Sequence, residues 1–145
     1  MNKTDIEIDP IIATMLAEMV EQNVPSLSSL PVDIARQVVK EMVVVEQPTA
    51  THTIEMINTE GPLGTIPARI YRPEADETLP VLVYYHGGGW VIGSAEMNDS
   101  GNEKRANELD LVVASVDYRL APEHPYPAGP DDCEAAALWL VENAE

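Results

Sequence analysis

One junction leaves few folds open to this chain. The seven residues Leu79 to Tyr85 form a continuous apolar run that ends directly on His86-Gly87-Gly88-Gly89-Trp90. An apolar run without polar alternation suits a strand covered on both faces, as in parallel sheets. Three successive glycines then strip every Cβ from the turn that follows. Such backbone reaches φ/ψ values closed to other residues and brings bare N–H groups close to a ligand. Ligands in open α/β sheets bind beyond the carboxyl ends of the strands, which is where this turn stands.

The next segments complete a unit. Asp99 to Leu109 is expected to be a helix, with Ser100-x-x-Glu103 as a capping box, and Leu111 to Val116 is a second buried strand. Strand, helix, strand implies a parallel pair with a right-handed crossover. Upstream, Thr51 to Asn58 and Ile66 to Tyr71 have strand character and flank the turn signal Gly61-Pro62-Leu63-Gly64, which predicts an antiparallel pair.

Two helices precede any strand. Asp9-Pro10 is a start signal, and Ile11, Ile12, Met15, Leu16, Met19 and Val20 then mark one apolar face. The second begins near Pro31 and places Ile34, Val38 and Met42 on its apolar side. At the other end, a helix from about Pro130 to Asn143 groups Cys133, Ala136, Ala137, Leu140, Val141 and Ala144 on one face. Asp131, Asp132 and Glu134 fall in its first turn, where solvated acids complement the helix dipole. A crossover helix normally leads back into its sheet, so the architecture reads as α/β with an incomplete sheet.

Charge narrows the function. Lys and Arg total 8 against 25 Asp and Glu, a formal net charge of −17. Such a chain repels phosphate backbones and anionic lipid, so nucleic-acid and membrane-surface binding are poor expectations. No apolar run approaches the roughly 18–20 residues of a membrane span. The polar start, Met1 to Pro10, carries no secretory pattern, and a single cysteine, Cys133, allows no internal disulfide, so a cytoplasmic setting is expected. The glycine turn is not G-x-G-x-x-G, and Ser94 stands where a P-loop needs lysine, which argues against phosphate. Scattered histidines without H-E-x-x-H give no metal expectation.

A second motif runs Asp117-Tyr118-Arg119-Leu120-Ala121-Pro122-Glu123-His124-Pro125-Tyr126-Pro127-Ala128. It reads as a rigid loop leaving a strand, with Arg119 set to pair with Asp117 and Glu123. Taken together and in order, HGGGW, DYRLAPEHPYPA and the helix carrying DDC and WL resemble the hormone-sensitive-lipase group of α/β-hydrolase carboxylesterases. The resemblance is close from Ala68 to Glu145 and looser over the first two helices.

That resemblance implies ester hydrolysis by a serine–acid–histidine triad. It assigns Gly88 and Gly89 as oxyanion-hole donors, Gly87 as shaping the turn, His86 as its hydrogen-bonded brace and Trp90 as a wall of the substrate pocket. It implies residues 1–47 as a cap segment and 48–145 as the N-terminal half of the core. No cofactor or metal is implied, and the partner is a small ester. The sequence departs from the group in one respect: no G-x-S-x-G nucleophile elbow occurs in it. These residues are therefore expected to be inactive alone. They are also expected to self-associate through strand 79–85, or to receive a missing C-terminal half there. Two alternatives stand beside this one, a non-catalytic small-molecule-binding module of the same fold and a truncated product without function.

Overall fold

The computed structural model describes residues 8–42, 52–58, 64–76 and 78–143, with the side chains of 52–58 excepted. The predicted turn residues Gly61, Pro62 and Leu63 lie outside them, as do Thr51 and Ala144. Two compact units divide the chain, residues 1–31 and 32–145.

In the first unit, α1 spans Pro10–Glu21. The Asp9 side chain caps it by accepting from the Ile11 N–H at 2.9 Å, and Pro10 occupies the first helical position, where a missing N–H costs nothing.

The second unit opens with α2, Val32–Met42. The expected apolar side is not the buried one: Ile34 and Met42 are exposed, and Ala35 is the helix's buried residue. Neighbouring Arg36 supplies the long-range bonds of this helix, so a polar anchor rather than a greasy stripe seats it.

Four strands form one sheet in the order β1-β2-β4-β3: β1 His52–Asn58, β2 Thr65–Tyr71, β3 Val81–Tyr85 and β4 Val112–Val116. β1 and β2 are antiparallel, with Glu55 opposite Ala68; β2 and β4 are also antiparallel; β3 and β4 are parallel, with Val83 opposite Ala114. The parallel pair is joined through α3, Asp99–Leu109, as the strand–helix–strand pattern requires.

The period of two sorts side chains onto two faces. Ile66, Ala68 and Ile70 of β2 join Val112, Ala114 and Val116 of β4 against Ala136 and Leu140 of α4, Ala128–Asn143. On the opposite face Tyr71 and Val113 pack with Ala106 of α3. The sheet is thus covered by α4 on one side and α3 on the other.

Four details depart from expectation. The capping box at Ser100 does not form, because α3 starts one residue earlier and its N-cap, Asn98, makes no side-chain cap bond. Asp99 is buried there and receives the Tyr71 hydroxyl and the Arg69 guanidinium, the latter at 3.1 Å. On α4, Val141 is 83% exposed although the spacing grouped it with the core. Asp132, expected in solvent, is fully buried because it holds Arg119. Among the described residues β3 pairs on one side only, with β4. Its Val81, Leu82 and Tyr85 stay more than a third exposed instead of buried on both faces.

Candidate functional site

His86 is the first residue after β3, so the glycine turn issues from the carboxyl end of an edge strand next to β4. Gly88 has φ +132° and Gly89 +60°, and the chain folds back so that the Gly88 carbonyl accepts from both Val91 and Ile92 N–H at 3.1 Å. A Cβ on Gly88 would collide with the Ile92 carbonyl, so both conformation and space demand glycine there. Gly93, at φ +95°, is equally constrained, since a Cβ would meet the Gly87 carbonyl and lie 2.6 Å from His86 Nδ1.

Gly87 and Gly89 are different. No atom lies within 4 Å of where a Cβ would stand on either. Their bareness faces open space. The N–H groups of Gly88 and Gly89 donate to no acceptor among the described residues. Two amide donors without an acceptor among the described residues are therefore held in a constrained turn, Gly88 half-buried and Gly89 exposed.

His86 is buried beneath that turn. Its ring stacks on Tyr118, with centroids 4.3 Å apart and planes within 9°, and the Tyr118 hydroxyl donates to the His86 carbonyl. Nδ1 lies 2.9 Å from the Gly87 carbonyl, which can only accept, so this nitrogen carries the proton. Nε2 is buried without a hydrogen-bond partner, 3.9 Å from Asp117 Oδ1. Asp117 Oδ1 in turn accepts from the Ala95 N–H at 3.0 Å. This imidazole is enclosed and tied to backbone, which suits bracing better than proton shuttling.

Trp90 adopts φ +59°, a left-handed backbone that a bulky residue takes only when its surroundings impose it. Its carbonyl accepts from Ala121 N–H at 2.8 Å, and its indole leans over Gly129 so closely that a Cβ there would sit 2.8 Å from Trp90 Cδ1. With Ala121, His124, Tyr126, Gly129 and Pro130 it lines a largely apolar pocket of about 360 Å³. Gly88 and Gly89 do not line this pocket, so the structure brings Trp90 to the proline loop while the amides lie beside it.

The ion pairs regroup relative to expectation. Arg119 binds neither Asp117 nor Glu123; its guanidinium takes Asp132, with Nη2–Oδ1 at 2.7 Å and Nε–Oδ2 at 2.8 Å, and its N–H donates to the same carboxylate. Glu123 pairs with Arg36, both oxygens at 2.8 Å, and that guanidinium holds its carboxyl far below the usual range, at about 2. Asp132 is one residue short of Cys133, whose thiol is pushed up to about 11, chiefly by burial and then by that negative charge.

Sequence reasoning missed Arg36 at this site. A single arginine on an amphipathic helix carries no signal that it will reach a glycine turn 55 residues later, where its Nε donates to the Val91 carbonyl at 2.8 Å. Tyr118 was readable as part of a rigid loop, but its stacking on His86 was not.

The family described as alpha/beta hydrolase fold matches residues 82–145. Carboxylesterase NlhH of Mycobacterium tuberculosis is 53% identical over 83 residues, covering 57% of this chain and 26% of that protein. An arylesterase of Saccharolobus solfataricus is 31% identical over 140 residues, covering 94% of this chain and 45% of its own length. Among solved structures, a hyperthermophilic esterase from the archaeon Pyrobaculum calidifontis superposes with a TM-score of 0.80 at 36% identity, over 96% of this chain and 45% of that one. The chain thus spans less than half the length of these relatives.

Proposed function

We propose, from the premise that this chain belongs to the α/β-hydrolase fold family, that its residues supply the oxyanion-binding half of a carboxylic ester hydrolase. One observation carries the proposal: the N–H groups of Gly88 and Gly89 donate to no acceptor among the described residues, and they are fixed in a strained turn beyond the carboxyl end of β3 with open space beside Gly89.

The chemistry follows from that arrangement. Attack of a nucleophilic oxygen on an ester carbonyl forms a new C–O bond and moves the carbonyl π pair onto oxygen. Two preorganised amide donors stabilise that developing negative charge more than they stabilise the neutral ester, and the difference lowers the barrier. Collapse of the tetrahedral intermediate then expels the alkoxide, which takes up a proton as the alcohol. Gly87 keeps the approach clear. His86 braces the turn from beneath, through the Gly87 carbonyl and the Tyr118 stack. Trp90 walls an apolar pocket beside the amides, sized for short or medium acyl or alcohol groups. No cofactor enters the scheme.

No G-x-S-x-G elbow occurs in these 145 residues, so the nucleophilic serine has no counterpart in them. A chimera tests the reading: residues 1–145 replace the matching N-terminal part of NlhH, and hydrolysis of p-nitrophenyl acetate is followed. The isolated 145 residues should release no stoichiometric burst of p-nitrophenol, while the chimera should turn the ester over. Gly88→Ala in the chimera keeps the N–H, but its Cβ collides with the Ile92 carbonyl and must turn the amide away; kcat should fall by about 10²–10³-fold, the scale of one misdirected oxyanion donor. A folded chimera that does not hydrolyse the ester, or one indifferent to Gly88→Ala, sinks the proposal.

A further inference from the structure

The glycine turn is fastened by a residue from α2. Arg36 Nε donates to the Val91 carbonyl at 2.8 Å and Nη2 to the Ala121 carbonyl at 3.0 Å, while Nη1 and Nη2 each reach a Glu123 oxygen at 2.8 Å. Four bonds from one guanidinium use the fixed fork that distinguishes arginine from lysine.

The first of these bonds leads to the site. A trans peptide is planar, so the Val91 C=O and the Ile92 N–H are one rigid unit. That Ile92 N–H donates to the Gly88 carbonyl at 3.1 Å. The Gly88 C=O is in turn coplanar with the Gly89 N–H, one of the two unpaired donors. Two peptide planes therefore separate a formal positive charge from the amide that faces open space. Each bond in such a relay also polarises the next. The second bond holds the opposite wall, since Ala121 donates its own N–H to the Trp90 carbonyl at 2.8 Å. Glu123 keeps the guanidinium in place and is drawn below its ordinary range by it.

We propose that Arg36 is a positioning residue that fixes the direction of the Gly89 N–H through these two peptide planes. The proposal rests on Gly89 as an oxyanion donor, but its readout involves no ester. Site-resolved hydrogen exchange by mass spectrometry, which tolerates self-associated protein, is measured on the 145-residue chain. Arg36→Ala should accelerate exchange at Val91 and Ile92 by about tenfold or more, the scale of one lost charge-assisted bond, and leave Val113 to Val116 unchanged. Glu123→Gln, which keeps both carbonyl contacts, should change Ile92 by less than about threefold. Arg36→Lys should resemble Arg36→Ala. Ethylguanidinium should restore protection to Arg36→Ala, and ethylammonium should not. Unchanged Ile92 exchange in Arg36→Ala overturns the proposal. So does acceleration that extends equally through Val113 to Val116, which marks a fold-wide role, and so does equal rescue by ethylammonium. Loss of hydrolysis in the chimera with this exchange pattern intact would count against the esterase reading alone.

Discussion

Glycine is required at two positions of the turn and chemically useful at two others. Gly88 and Gly93 have left-handed backbone and neighbours that a methyl group would strike, whereas Gly87 has neither constraint. Gly87→Ala should therefore leave the urea midpoint of the chain nearly unchanged, and Gly88→Ala should lower stability by about 2–4 kcal/mol through strain and overpacking. Equal midpoints for the two variants would contradict this account. Cys133 gives a second residue-scale expectation. With its thiol raised from 9.0 to about 11, the thiolate fraction at pH 8 falls roughly a hundredfold, and iodoacetamide should react that much more slowly than with a free thiol. Urea should restore the ordinary rate. The sequence alone showed a lone thiol on a helical face. It could not show Asp132 buried beside it, because a carboxylate at the start of a helix usually reads as solvated.

Elements were legible where one physical cause acted alone. The apolar run of β3, the alternation of β2 and the acid–proline start of α1 all appear where sequence reasoning set them, to within two residues. Packing faces were legible only where apolar contact decides them. α2 seats through Arg36, where the spacing pointed to Ile34, which stays exposed; α4 seats through Ala136 and Leu140, as the spacing set them, with Asp132 added and Val141 left exposed. The start of α4 should be correspondingly sensitive. Asp132→Asn removes the charge that Arg119 answers and weakens the acceptor of its N–H, at a cost of about 2–4 kcal/mol. That is below the fully buried range because Arg119 is partly solvated. Leu138→Ala, on the exposed side of the same helix, should cost under about 0.5 kcal/mol. Chemical denaturation of both variants checks the contrast, and similar losses would show that the Asp132 pair does not govern the helix.

The sheet of the second unit has β1 at one edge and β3 at the other. β3 is short and uncharged, and among the described residues its outer edge offers backbone donors and acceptors to no strand. Such an edge is a template for another chain. Sedimentation of these 145 residues alone should show concentration-dependent association. Replacing Leu82 with lysine, which places a charge on the exposed rim, should restore monomer. A monomeric parent chain would contradict this expectation. The antiparallel β1–β2 pair and the parallel β3–β4 pair follow from the sequence, whereas the β2–β4 junction that sets the four-strand order does not. Nor does the seating of α2 within the second unit, because it depends on a polar bond to a carbonyl 55 residues away.

The neutral rim sits on a body of formal charge −17, and that combination sets a kinetic rule for assembly. Two copies approaching edge to edge first meet mutual repulsion, which reaches about 30 Å in 0.01 M salt and about 3 Å in 1 M. Ionic strength thus acts as the gatekeeper of strand-to-strand encounter. The association should therefore be weakest in dilute buffer and strengthen as salt collapses the ion cloud.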